Sequence, residues 1–296
     1  MKTAEIRKQL LESIAELTPS PDHPALAHLV TSLKDRYGDC VKAVLFYGSC
    51  LRDGDPYDGL VDLYLVVDHY RCANASLVKA FWNWVLPPNV FYAEFSHHGQ
   101  TVRSKYAIIS LADLDKGTSQ RWFHSYLWGR FSQPTAVAWC RDDTTRDIIN
   151  NNLAQSVVTF LNRVLPALPP QGDVQSLWSN GLRLSYGAEL RVESSARARE
   201  LTEANKDYYQ QLTRLCVPLL KHTCRITATP PTPLVYHTEI TSLQRFGNRI
   251  GWKIRALQGK LLSLARLIKA LFTFDGGLDY LAWKLERHSG VHVDIP

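Results

Sequence analysis

Two short apolar runs, the second with an acid inside it, constrain this chain more than any other feature. Val41 to Tyr47 (VKAVLFY) and Leu60 to Val67 (LVDLYLVV) are rich in β-branched and aromatic residues and read as buried strands. Gly48-Ser49 breaks the first run, and RDGDPYDG at 52–59 is a loop by composition. Asp62 stands inside the second run. A carboxylate in a buried strand is costly unless it is paired or holds a metal. Asp62 therefore needs a partner or a metal.

The rest of the chain frames this unit. Residues 1–17 and 24–37 read as helices, ended by Pro19 and Pro21 and by Gly38 respectively. A helix over 76–85 follows the second strand. Val90 to Phe95 and Tyr106 to Ser110 read as two further strands with a polar turn at 96–104, and 118–130 suits a helix. From about residue 145 the pattern turns helical, over 146–163, 175–190, 195–220 and 242–272, interrupted by proline-rich breaks at 164–173 and 230–233. The expected architecture is α+β, with a mixed domain over 1–145 and a helical domain over 146–296.

Composition excludes some classes and leaves others open. The six cysteines include no CxxC pair and no zinc-finger spacing with histidine, so they read as reduced thiols in an intracellular chain. Lys2, Arg7 and Lys8 mix with Glu5, Glu12 and Glu16 in the first 17 residues, unlike a secretory signal or a transit peptide. No apolar stretch is long enough for a transmembrane helix. The net charge of +6 favours an anionic partner: nucleic acid, nucleotide or acidic lipid.

The order of strand, Gly48-Ser49, loop and acid on the next strand resembles the DNA polymerase β-like nucleotidyltransferase superfamily. In that setting Gly48 lets backbone N–H groups approach a triphosphate, Ser49 donates to a phosphate oxygen, and Asp62 holds Mg²⁺ against it. The superfamily places a second acid two residues after the first. Here that position is Tyr64, so a second metal-binding group must come from elsewhere, with Asp53, Asp55, Asp58, Asp68 and Glu94 as candidates.

Five segments narrow the resemblance. FYGSC at 46–50, VDLYLVVD at 61–68, KYAIIS at 105–110, YLWGRFSQP at 126–134 and LSYGAELR at 184–191 occur in the order found in the mitochondrial-type phosphatidate cytidylyltransferase (translocator assembly and maintenance) family. Residues 266–285 resemble that family's C-terminal segment. The departures are Cys50 for a glycine, Trp128 for an alanine, Glu189 for an aspartate, and Phe274-Asp275 within the last segment.

The resemblance implies a polymerase β-like nucleotidyltransferase domain followed by a helical C-terminal domain. It implies transfer of CMP from CTP to phosphatidate with Mg²⁺ as cofactor, giving CDP-diacylglycerol and pyrophosphate. Asp62 and Lys105 would be catalytic, Asp62 also the metal ligand, and Tyr47, Gly48, Ser49 and Arg130 nucleotide-binding. Asp68, Tyr186, Glu189 and Arg191 are further candidates. A phosphate monoester is largely dianionic near neutral pH and needs no dedicated base, so no histidine is required.

Thr241 to Phe274 carries seven basic residues (Arg245, Arg249, Lys253, Arg255, Lys260, Arg266 and Lys269) and no acid. Ile250, Ile254, Leu257, Leu261, Leu264, Ile268 and Leu271 recur at helical spacing. Such a helix serves a packed surface, a nucleic acid or a membrane equally well. A lipid substrate selects the membrane and removes any need for nucleic acid. The expected location is peripheral, on the cytoplasmic face of a bacterial inner membrane or, alternatively, the matrix side of the mitochondrial inner membrane. The competing classes are a nucleotidyltransferase of the same fold acting on another phosphorylated lipid, a small molecule or RNA, and a non-catalytic membrane-binding module.

Overall fold

The computed structural model describes residues 3–53, 55–189, 195–227 and 233–273. Helix α1 (Thr3–Leu17) and α2 (Pro24–Tyr37) precede strand β1 (Val41–Tyr47). The short α3 (Ser49–Asp53), β2 (Val61–Val67), α4 (Leu77–Val85), β3 (Asn89–His97) and β4 (Gln100–Ser110) follow. Next come α5 (Leu111–Thr118), α6 (Tyr126–Phe131), β5 (Ala136–Cys140) and the long α7 (Asp143–Val164). The chain continues with β6 (Gln171–Asp173), α8 (Val174–Tyr186), α9 (Ser195–Ala204), α10 (Lys206–Cys216), β7 (Cys224–Thr227), β8 (Val235–Thr238) and α11 (Ser242–Thr273). The fold is mixed α+β, as expected. Two strands fall where the apolar runs place them.

Several boundaries differ from expectation, each for a local reason. The polar stretch at 96–104 is a β-hairpin, because Gln100 to Lys105 alternates polar and buried side chains and only His98 and Gly99 take positive φ. The helix expected at 118–130 is two helices, α5 and α6, and α5 begins where Ser110 Oγ accepts from the Asp113 N–H at 3.2 Å. The run 195–220 splits at Asn205, whose side chain donates to Leu201 O and so closes the end of α9. β5 and the three short strands β6, β7 and β8 were not legible as strands.

The chain forms two compact units, each made of non-consecutive segments. One comprises the described residues of Ser20–Asp113, Thr135–Arg146 and Ala265–Thr273. It holds a five-stranded sheet of order β3-β4-β2-β1-β5, antiparallel except for the β2–β4 pair. One sheet face carries Val44, Phe46, Leu63, Leu65, Tyr106 and Ile108, and α2 covers it with Leu26, Leu29 and Leu33. All nine side chains are buried, which makes this the main hydrophobic core of the unit.

The other unit comprises the described residues of Met1–Pro19, Leu114–Pro134 and Asp147–Leu264. An aromatic stack runs through it: Phe160 lies flat on Trp178 at 4.6 Å between centroids, and Trp178 meets Tyr209 at 4.4 Å. The buried Trp178 indole donates to Thr213 Oγ1 at 2.8 Å. A small antiparallel sheet of order β6-β8-β7 borders this helical core.

The cysteines require a correction. Cys40 and Cys72 form a disulfide, with Cα atoms 5.6 Å apart, rather than two thiols. Asp68 N donates to Cys40 O at 3.0 Å, so the chain leaving β2 turns back over the start of β1 and carries Cys72 to Cys40. The partners are 32 residues apart in sequence, a spacing that belongs to no motif. Cys50, Cys140, Cys216 and Cys224 are free thiols.

Candidate active site

Strand register brings the polar candidates together. Tyr47 on β1 pairs with Asp62 on β2, Asp62 pairs with Lys105 on β4, and Lys105 pairs with Tyr92 on β3. Tyr47, Asp62, Lys105 and Tyr92 thus form one row across four strands, on the sheet face opposite α2. The next row inward on that face is Leu45, Tyr64, Ala107 and Val90, which is apolar apart from the Tyr64 hydroxyl. The polar row therefore marks the end of the sheet at which β1 finishes and β2 begins.

Gly48 ends β1 with φ +90°, a backbone conformation that side chains rarely adopt. A Cβ at this position would lie 2.8 Å from Asp62 Oδ2. The half-buried Asp62 carboxylate is therefore set against bare backbone, and the glycine is required twice, for its dihedral and for its lack of a side chain. Ser49 follows as the first residue of α3. Cys50, where the resembled family has glycine, has no positive φ; its buried thiol donates to Leu60 O at 3.3 Å. The substitution of cysteine for glycine is thus accommodated without backbone strain.

Sequence reasoning missed one part of this face. Arg103 Nε donates to Glu94 Oε1 at 3.1 Å, and the Tyr92 hydroxyl donates to the same oxygen at 2.6 Å. Burial, reinforced by Glu94, raises the Tyr92 phenol above its ordinary range. Arg103 and Lys105 lie two apart on β4 and so share a face, with Lys105 in register with Asp62 and Arg103 one step further out, paired with Glu94. The period-2 pattern of β4 carries that signal, but the polar composition of 96–104 masks it, since a turn has the same composition.

The candidates for a second metal ligand fare differently. Glu94 is committed to Arg103 and Tyr92. Asp55 Oδ1 accepts from the Tyr57 N–H at 2.8 Å and shapes the loop. Asp58 lies in the same loop, and the side chain of Asp53 is outside the described residues. Asp68 follows the last residue of β2, six residues from Asp62, which puts it about 20 Å away along the strand. It pairs with Lys42 at 3.7 Å instead, so the structure does not bring Asp68 to Asp62. Tyr64, in the place of a second acid, is fully buried and packs against Tyr47 at 5.4 Å between centroids.

Among the described residues, no group of three or more His, Cys, Asp or Glu side chains could hold a metal ion by itself. A lone carboxylate still fits Mg²⁺, which is commonly bound through one or two carboxylates with substrate phosphates and water completing its shell. Asp62, with Gly48 backbone beside it, is the carboxylate here that matches that chemistry.

Arg130, Tyr186 and Glu189 come together in the helical unit. Arg130 Nη2 lies 3.6 Å from Glu189 Oε1 and its guanidinium stacks over Tyr126 at 5.0 Å. The Tyr186 hydroxyl donates to Gln133 Oε1 at 2.7 Å. Gly129 makes the contact possible, since a Cβ there would occupy the Ser185 hydroxyl's position. The two sequence segments 126–134 and 184–189 are thus packed against each other. Arg191 lies outside the described residues, as do Phe274 and Asp275.

No protein-family model matches the chain, and no curated protein matches it. Among solved structures, the chain is similar to a nucleotidyltransferase-like protein from Exiguobacterium sibiricum 255-15. The likeness has a TM-score of 0.26 and 9% identity, over 72% of this chain and 99% of that one. What the chain does is therefore read from its own residues.

Proposed function

We propose that the chain is a metal-dependent nucleotidyltransferase of the polymerase β-like superfamily, acting as a phosphatidate cytidylyltransferase. One observation carries the reaction class: Tyr47, Asp62 and Lys105 share a row at the end of the sheet, with the Gly48 backbone closed against the Asp62 carboxylate. The choice of CTP and phosphatidate rests on the five sequence segments that resemble that family.

In this reading, a phosphate oxygen of phosphatidate attacks the α-phosphorus of CTP. The bond from the α-phosphorus to the bridging oxygen breaks, and pyrophosphate leaves with that electron pair. Asp62 would hold Mg²⁺, whose contribution when bound is to neutralise phosphate charge. Lys105 supplies a positive charge one strand away from Asp62, and Arg103 a second along β4. Gly48 lets its backbone and the Asp62 carboxylate meet one triphosphate together, and the Ser49 hydroxyl donates to a phosphate oxygen. Tyr47 flanks Asp62 and gives a nucleotide an aromatic edge. Arg130, held between Glu189 and Tyr126 in the helical unit, is assigned to nucleotide binding by the resemblance alone. No proton need be removed from the attacking group, so no general base is assigned.

The membrane is reached through α11, whose apolar stripe is open to solvent. Leu243, Phe246, Ile250, Ile254, Leu257 and Leu261 are all exposed, and exposed Arg249, Lys253 and Lys260 accompany them. Among the described residues no helix is long and apolar enough to cross a membrane, so the association proposed is peripheral. Its proposed place is the cytoplasmic face of a bacterial inner membrane or the mitochondrial matrix side.

The test is incubation of the purified chain with labelled CTP, Mg²⁺ and phosphatidate vesicles. Formation of CDP-diacylglycerol, lost in Asp62→Asn, is the expected result. Transfer to RNA or a sugar phosphate without lipid would move the substrate elsewhere within the class. No transfer to any acceptor, with Asp62→Asn indistinguishable from the parent in nucleotide binding, would leave a non-catalytic module as the reading.

A further inference from the structure

Helix α4 is built inside out. Of its nine residues, LVKAFWNWV, only Ala80 and Asn83 are buried, and Asn83 Nδ2 donates to Ile108 O at 3.4 Å. Leu77, Val78, Phe81, Trp82, Trp84 and Val85 all face solvent, with Phe81 54% and Trp84 66% exposed. A surface helix ordinarily turns such residues inward and its polar residues out. Grouped exposed aromatic and aliphatic side chains mark a contact surface.

The end of α11 repeats the pattern beside it. Arg266 Nε donates to Pro87 O at 2.9 Å, and Lys269 Nζ donates to Leu86 O at 2.5 Å and Pro88 O at 3.1 Å. Two cations of α11 are thus turned inward, where they hold the carbonyls that follow α4. Their neighbours Leu267 and Ile268 are left exposed. In α4 and in this end of α11 the polar or small residues bind protein and the large apolar ones face out.

Charge decides what covers this surface. No acid occurs between Asp68 and Glu94 or between Glu239 and Asp275, the two stretches that contain α4 and α11. Lys79 is the one charged residue of α4, and Arg266 and Lys269 are the charged residues in the stretch of α11 beside it, so the surface carries one sign. A second copy of the chain would set like charges together, whereas an anionic bilayer supplies the opposite sign and an apolar interior. Tryptophan favours the membrane–water boundary, where its ring is half in each phase.

We propose that α4 is a second membrane-inserting element, which buries Phe81, Trp82 and Trp84 in the interfacial region of an anionic bilayer, clamped to α11 by Arg266 and Lys269. The proposal extends the membrane reading of α11 and is independent of nucleotidyl transfer. The insertion of α4 fixes the orientation of the five-stranded unit on the lipid surface, which a single helix leaves free to rotate about its own axis.

The experiment is sedimentation of the full chain with phosphatidylcholine vesicles that contain phosphatidylglycerol, without nucleotide. Three proteins are compared: the parent, F81Q/W84Q, and L257Q/L261Q. The parent is expected to bind these vesicles and to bind phosphatidylcholine vesicles poorly. F81Q/W84Q is expected to lower the partition coefficient about tenfold or more, with an unchanged melting temperature because both side chains are exposed. Brominated acyl chains should quench parent tryptophan fluorescence, and less so in Trp84→Phe. Full binding by F81Q/W84Q alongside loss in L257Q/L261Q overturns the role of α4 and leaves α11 and the transfer reaction untouched. Failure of the parent to bind overturns it as well. So does a lipid-free dimer that F81Q/W84Q dissociates while vesicle binding stays the same, since that identifies a second copy as the partner.

Discussion

Substituting Gly48 with alanine separates the two reasons for which the glycine is there. Its φ of +90° strains any side chain, and a Cβ would stand 2.8 Å from Asp62 Oδ2, 3.4 Å from its Cγ and 3.3 Å from its Cβ. The left-handed backbone costs about 1–2 kcal/mol for a non-glycine residue. Overpacking against a neighbour that cannot move freely adds about 1–3 kcal/mol. Gly48→Ala is therefore expected to lose about 2–5 kcal/mol, read from denaturant unfolding at constant m. Gly38→Ala supplies the control, since Gly38 also has positive φ, +57°, but nothing lies within 4 Å of its Cβ position. That variant should lose only a backbone part, about 1–3 kcal/mol, since Gly38 with ψ −143° lies outside the left-handed helical basin. In an Asp62→Ala background the carboxylate is gone, and the cost of Gly48→Ala should fall towards that of Gly38→Ala. Equal costs of Gly48→Ala in the two backgrounds would refute the contact between the glycine backbone and the carboxylate.

Three further outcomes follow from the same geometry. Asp62→Asn should lower nucleotidyl transfer by about a hundredfold or more, while Asp68→Asn, about 20 Å along the strand, should leave it near the parent value and cost at most about 1 kcal/mol of stability through its exposed pair with Lys42. Gly129→Ala should destabilise the helical unit by about 1–3 kcal/mol, since its Cβ collides with Ser185, and thermal unfolding would reveal it. Burial, with Arg266 close by, pushes Lys269 down to about 7 from 10.5. Between these values the unfolded chain binds the proton that the folded chain has released, so stability should rise with pH across that window by at most about 1.4 kcal/mol per unit. Lys269→Met should flatten the slope in pH-resolved melting curves, and an unchanged slope would assign the dependence to another group.

Much of the site was legible because its parts are local. Val41–Tyr47 and Val61–Val67 appear as unbroken apolar runs, Gly48 as a break, and Asp62 as the one acid that a buried strand would not otherwise keep. What joins them is register, which a single strand does not encode. That Tyr47, Asp62, Lys105 and Tyr92 fall in one row depends on how four strands slide against one another. Arg103 was lost because an alternating polar strand has the composition of a turn, and Glu94, a candidate metal ligand, proved to be its partner. The pairings of Arg130 with Glu189 and Cys40 with Cys72 join residues far apart in the chain, whose complementarity becomes visible only once α6 meets α8 and the chain leaving β2 folds back over β1.

The basic helix shows what periodicity leaves undecided. The spacing of Ile250, Ile254, Leu257 and Leu261 establishes that α11 has one apolar side and leaves a packed surface, a nucleic acid and a membrane open to it. In the structure that side faces solvent. Trp252, Arg255 and Gly259 form the buried side: Arg255 donates to Phe123 O at 2.6 Å and lies against Phe123 and Trp252, while Gly259 admits the Ala188 backbone. Burial and the nearby Arg163 hold the Arg255 guanidinium down to about 10, a cost that a helix seeking only to hide apolar surface would not incur. Amphipathic spacing establishes that two faces of a helix differ and leaves open which one meets the protein. The choice was made by the aromatic pocket of Phe123, Trp128 and Trp252, which accepts a guanidinium by stacking and so commits the leucine side to the outside. The open apolar stripe of α11 therefore follows from where its arginine is bound.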